Sequence, residues 1–109
     1  MRLNHYRIMW LFVIFDLPVL TKPERRRAAR FRKYLIEDGF VMKQFSVYTR
    51  HCPSAEAANK HENWVKRLIP PEGHVSIFRI TDKQFGEMVN FSAGATAPQW
   101  DQPKQLELF

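Results

Sequence analysis

Ile8-Met9-Trp10-Leu11-Phe12-Val13-Ile14-Phe15, closed by Asp16, is the stretch that decides the fold. Every side chain before the aspartate is apolar, and β-branched and aromatic types predominate. The run is too short for a typical helix and does not alternate with polar residues, so it reads as a strand covered on both faces. It falls far short of the roughly 20 residues that a membrane span needs. Asp16-Leu17-Pro18 stands where a secretory signal would carry small residues for cleavage. In a small domain one face of such a strand lies under helices. The other face needs cover from elsewhere, and a second copy of the same sheet is the most economical source.

Immediately downstream, Thr21-Lys22-Pro23-Glu24 combines an N-cap threonine, a glutamate three residues later and a proline in the first turn, the signature of a helix start. The helix is expected to reach about Asp38 and to stop at Gly39. Along it Ala28, Phe31 and Leu35 form a narrow apolar stripe, while Arg26, Arg30 and Lys33 take the opposite side at i, i+4, i+7 spacing. Phe40 to Gln44 and Phe45 to Arg50 read as the two strands of a hairpin or bulged pair. Ser54 caps a second helix to about Leu68, with Ala55, Ala58, Val65 and Leu68 turned to the sheet, and Pro70-Pro71-Glu72-Gly73 ends it. His74 to Thr81 is a fourth strand whose loose alternation again implies two covered faces. The order β-α-β-β-α-β predicts an α+β ferredoxin-like sandwich, an antiparallel sheet with two helices on one face. An extra C-terminal strand near Met88 to Phe91 is expected to add to a sheet edge, such as that of a partner subunit. Residues 1–91 then form the domain, and 92–109 a polar, proline-bearing tail expected to be flexible.

Hydrophobic residues make up 45% and aromatics 14% of the 109 residues, enough to close one core and too much for a disordered chain. Lysine and arginine number 17 against 11 acids, for a net charge of +6 and a pI near 9.8. A polyanion is the natural partner of such a chain, the more so for a dimer. Cys52 is the only cysteine, so no intrachain disulfide can form and a small secreted framework is excluded. The cytoplasm is the expected compartment.

Two features carry chemistry. Asp16 ends the first strand, so its carboxylate emerges at a strand terminus beside the basic start of the first helix. Two copies brought together by a twofold axis could hold Mg²⁺ with phosphate oxygens and water; the plainer role of such an aspartate is to open the Leu17-Pro18 turn. Arg25, Arg26, Arg27, Arg30, Arg32 and Lys33 crowd one helix with few acids at compensating spacing, a pattern suited to phosphate contacts. The bland alternative is a solvated face paired with Glu24, Glu37 and Asp38. His51, His61, His74 and Cys52 lack zinc-ligand spacing. The absence of a Gly-rich phosphate loop, G-x-S-x-G and H-E-x-x-H excludes the corresponding nucleotide-binding, hydrolase and metalloprotease readings.

Phe15-Asp16 closing an apolar strand, the Arg-rich helix, Gly39-Phe40 and Gln44-Phe45-Ser46-Val47-Tyr48, in that order and spacing, resemble the small CRISPR-associated endoribonuclease family Cas-two over about residues 6–91. The resemblance implies a ferredoxin-like homodimer, joined through sheet faces, that bridges two dimers of the CRISPR integrase, Cas-one, and holds duplex DNA destined to become a spacer. It also implies metal-dependent endonuclease activity in some members, with Asp16 of each subunit as catalytic residue and Mg²⁺ ligand. Phe15 stands where many relatives carry tyrosine, and Thr49-Arg50 where an acid often follows the strand. Under this reading Arg25, Arg26, Arg27, Arg30 and Lys33 contact nucleic acid.

An alternative is a stand-alone Mg²⁺-dependent endoribonuclease of the toxin-like interferase kind, in which Asp16 would be indispensable. A single-stranded RNA-binding module ranks third, because Ser46-Val47-Tyr48-Thr49 lacks the Gly-aromatic pattern of such modules. The tail Gln105-Leu106-Glu107-Leu108-Phe109 resembles the short peptides by which bacterial proteins bind the replicative sliding clamp.

Overall fold

The computed structural model describes residues 8–92, so the Gln105–Phe109 peptide and the tail beyond Ser92 lie outside the described residues. The elements are β1 (Met9–Asp16), α1 (Lys22–Glu37), β2 (Val41–Gln44), β3 (Val47–Cys52), α2 (Ala55–Leu68), β4 (His74–Thr81) and α3 (Asp82–Gly86). The four strands form one antiparallel sheet in the order β2-β3-β1-β4. This is the expected α+β, ferredoxin-like arrangement, with β1 flanked on both sides. That central position is why β1 is the most apolar stretch of the chain.

Leu11, Val13 and Phe15 on one face of β1 pack with Ala28, Phe31 and Leu35 of α1 and with Ala58 and Val65 of α2 in a single core. Burying an aliphatic or aromatic side chain of this size contributes about 1.5–3 kcal/mol, so this layer supplies much of the folding free energy. Ala55 is exposed, and Ala57 joins Leu68 as a partly buried neighbour of the core, a small shift of the expected helix phase. α1 opens with a complete capping box between Thr21 and Glu24 and closes on Gly39 at φ +94°. Gly39 N donates to Ile36 O and Phe40 N to Leu35 O, the paired bonds of a glycine-terminated helix. The β2–β3 hairpin turns through Phe45-Ser46 with Ser46 at φ 63°, and a register shift between Met42 and Gln44 bulges β2.

Two expectations need correction. The opposite face of the sheet is covered by the chain itself at one end only. A Thr81/Gln84 capping box starts α3 directly off β4, and α3 folds back so that Phe85 stacks on Trp10 with ring centroids 3.8 Å apart. Trp10 Nε1 donates to Asp82 Oδ1 at 2.8 Å, and Phe12 lies between Phe78 and Phe85. Beyond α3 this face is open, with Ile14 39% and Phe78 41% exposed. β4 is an edge strand whose burial alternates over most of its length in the single chain, with its outer face left for cover from elsewhere.

The second correction concerns residues 88–91, which form no strand in the single chain. Helix α3 consumes the residues leading into them, and Val89 and Phe91 stand 85% and 92% exposed, paired with neither edge strand of the sheet. Lys43 Nζ donates to Asn90 Oδ1 at 2.9 Å, a side-chain tie in place of strand pairing.

Candidate nucleic-acid interface and metal site

Asp16 occupies the last position of β1, in register with His74 of β4, and its side chain is exposed. Strand alternation puts it on the same open face as Ile14. A tight turn holds its backbone from below. Gly73, at φ +93°, brings its Cα so close that an added Cβ would stand 2.7 Å from Asp16 O. Only glycine serves here, for both conformational and steric reasons. Among the described residues no group of three or more His, Cys, Asp or Glu side chains could hold a metal ion. Asp16 thus belongs to no such group within the described residues of one chain, and it suits a divalent cation only when another molecule completes the donor set.

The arginine cluster divides by what each guanidinium does. Arg25 is spent on the loop before the helix, donating to Val19 O at 3.1 Å and Leu20 O at 3.0 Å. Arg27 pairs with Glu72 at 2.7 Å. Arg32 lies over the rings of Phe15 and Phe45, 5.8 Å and 5.5 Å from their centroids. Its Nε is buried without a hydrogen-bond partner. Arg26, Arg30 and Lys33 are left exposed on the outer side of α1, and none has a hydrogen bond, ion pair or ring contact among the described residues. The i, i+4, i+7 stripe thus keeps three cations free for an external anion, whereas Arg25 and Arg27 of the expected set are engaged within the fold.

Arg50, which the sequence left without a role, is also structural. Its Nε donates to Asp38 O at 2.7 Å and Nη1 to His51 O at 2.8 Å. Glu62 is gripped by Arg79 through two bonds at 3.0 and 2.8 Å, which hold its carboxyl below the usual range. Burial pushes the Cys52 thiol up, so it is a packing residue and no nucleophile. Sequence reasoning missed α3 and its Phe85, although Thr81-x-x-Gln84 is a legible capping signal.

Residues 9–88 match the family model described as CRISPR associated protein Cas2. The chain belongs to the Cas2 family. A protein of Flavobacterium psychrophilum named CRISPR-associated endoribonuclease Cas2 is 48% identical over 109 residues, covering 99% of this chain and 94% of that one. A relative of the same name from Paracidovorax avenae is 43% identical over 107 residues, with 98% and 99% covered. A solved structure titled crystal structure of cas2 superposes with a TM-score of 0.54 at 22% identity, over 82% of this chain and 94% of that one. It supports the Cas2 fold independently of sequence. The matched span runs from the start of β1 through α3, so the Asp16 strand end and the free stripe of α1 both lie within the part shared with Cas2 proteins.

Proposed function

We propose that this protein is the nucleic-acid-binding homodimer of a CRISPR spacer-acquisition complex, bridging two integrase dimers and seating duplex DNA on the basic stripes of its two subunits. The observation that carries this reading is the open sheet face, where uncovered Ile14 and Phe78 lie on the same side as the exposed Asp16. Exposed apolar side chains rimmed by polar ones mark an association surface. A twofold partner there covers them and brings two Asp16 carboxylates toward each other. Val89 and Phe91, bare in one chain, gain a place against the partner's sheet edge.

Within such a dimer the two Asp16 side chains would be the protein ligands of Mg²⁺, with water and phosphate oxygens completing the shell. The bound cation would supply polarisation of a phosphodiester and activation of water. The fold itself contributes position: the Gly73 turn fixes the strand end, and the Arg26-Arg30-Lys33 stripes attract and orient the polyanion.

A second reading, a Mg²⁺-dependent endoribonuclease acting alone, is favoured by the exposure of Asp16 and by the name that the relatives carry. One set of measurements separates the two. Light scattering should report a dimer, and a cognate integrase should co-purify with it. Spacer integration that survives Asp16→Ala identifies an architectural subunit, while Mg²⁺-dependent RNA cleavage lost in Asp16→Ala identifies the enzyme. A monomer that ignores the integrase would end the first reading. For the sequence Gln105–Phe109 we propose clamp docking, tested by binding of that peptide to purified clamp against a chain truncated after Gln102.

A further inference from the structure

The two long helices lie antiparallel. His61 Nδ1 meets Asp38 Oδ2 at 2.7 Å at one end, and Arg27 meets Glu72 at 2.7 Å at the other. Two concavities open along the seam. One of about 460 Å³ is lined by Asp38, Lys60, His61, Asn63, Trp64 and Arg67. A second of about 150 Å³ includes Arg30, Tyr34 and Leu68. Tyr34 and Asp38 are one helical turn apart on α1, as are Trp64 and Leu68 on α2, so the two concavities follow one another along the seam. From Arg27 to Asp38 the groove is about 16 Å long at the α-helical rise.

The side chains along this groove have a consistent chemistry. Trp64 is 41% exposed inside a concavity, although tryptophan is a residue that folding normally covers. Lys60 and Arg67 flank it at i−4 and i+3 on the same helix, and neither has a partner among the described residues. Arg30 and Tyr34 extend the pattern on α1. Asp38 is the one carboxylate in either lining, and His61 already occupies it.

We propose that the α1–α2 groove binds single-stranded nucleic acid, with a base stacked on Trp64 and its phosphates on Lys60 and Arg67. Aromatic platforms between unpaired cations are the general means of holding a single strand without regard to sequence. A concavity of about 460 Å³ admits a base or nucleotide and cannot admit a duplex, whose paired bases present no free face to the indole. Its stacking and phosphate-binding residues, Trp64, Lys60 and Arg67, lie on α2 outside the Arg26-Arg30-Lys33 stripe, and Arg30, which also lines the smaller concavity, is the one side chain the two surfaces share. It would accommodate an unpaired end or displaced strand next to bound duplex.

The test uses the full-length protein and a labelled oligothymidylate 12-mer beside a duplex of equal length, both followed by fluorescence anisotropy. Trp64→Ala should weaken single-strand binding by about tenfold or more, the range seen when a stacking aromatic is removed. Lys60→Ala/Arg67→Ala should weaken it and flatten its salt dependence. Duplex affinity should stay within about twofold for both variants, since neither touches the Arg26-Arg30-Lys33 stripe. Trp64→Phe, which keeps an aromatic face and the fold, should retain most of the single-strand affinity. Unchanged single-strand binding by Trp64→Ala would overturn the proposal, and so would equal losses on single strand and duplex. Displacement of a partner protein by Trp64→Ala with single-strand binding intact would make the groove a protein-docking surface instead, and likewise overturn it.

Discussion

Replacing Arg26, Arg30 and Lys33 together with alanine is the perturbation whose size follows most directly from the structure. Within each chain these cations have no partner among the described residues, so removing them breaks no hydrogen bond or ion pair there. Two subunits present six of them. Each phosphate neutralised releases condensed counterion and contributes about −0.9 to the slope of log K against log salt, so full engagement of both stripes corresponds to a slope near −5. Between 50 and 200 mM salt that is a loss on the order of a thousandfold in affinity. Anisotropy titrations of a labelled duplex over that salt range should show the steep slope for the wild type and a shallow one for the triple variant. Arg27→Ala is the internal control. Its guanidinium is committed to Glu72, both partners are at least a third exposed, and losing the pair should cost about 0.5 kcal/mol of stability with little change of slope. If the triple variant kept the wild-type slope, or if Arg27→Ala flattened it as much, the division of the cluster into free and committed cations would be wrong.

Three further outcomes are expected. Gly73→Ala forces a side chain into positive φ and against Asp16 O, so it should destabilise the fold by about 2–3 kcal/mol in denaturant melts and disturb any metal affinity tied to Asp16. Phe85→Ala removes the ring stacked on Trp10 and bordering Phe12, which should cost about 2 kcal/mol and shift the Trp10 emission; an unaltered melt would mean that α3 does not cover this end of the sheet. The Glu62 carboxyl is held low first by its Arg79 bonds. A group depressed in the folded state stabilises above its unfolded pKa and loses that contribution as pH falls through the folded value. Stability should therefore decline below about pH 4, and Glu62→Gln should remove about 1 kcal/mol of that decline, read from thermal melts between acidic and neutral pH.

Much of the fold was legible because its determinants are local. An unbroken apolar run implies a central strand, Thr21-x-x-Glu24 and Gly39 bound α1, and the order of elements limits the topology to a ferredoxin-like sandwich. Asp16 could be singled out because an acid ending a buried strand must emerge at its tip. The free stripe was legible as well, since i, i+4, i+7 spacing places Arg26, Arg30 and Lys33 on one side whatever they meet.

Other features were decided only by which segments come together in space. Arg27 is bound because Glu72 arrives from a turn 45 positions later, and Arg25 because the preceding loop folds back under it. Residues 88–91 looked like a strand by composition, yet a strand needs backbone pairing with a neighbour, and after α3 this segment meets the sheet of its own chain through the Asn90–Lys43 side-chain bond, with no ladder. The pairing of Trp64 with an open groove depends on how α1 and α2 are set side by side, a long-range relation that no spacing within either helix encodes. Periodicity and capping are properties of short windows, and so the sequence alone determined the elements, their order and which sides they bury. Contacts between distant residues depend on the docked geometry, and so only the tertiary structure decided which cations are free, which face lacks cover and where a ligand could enter.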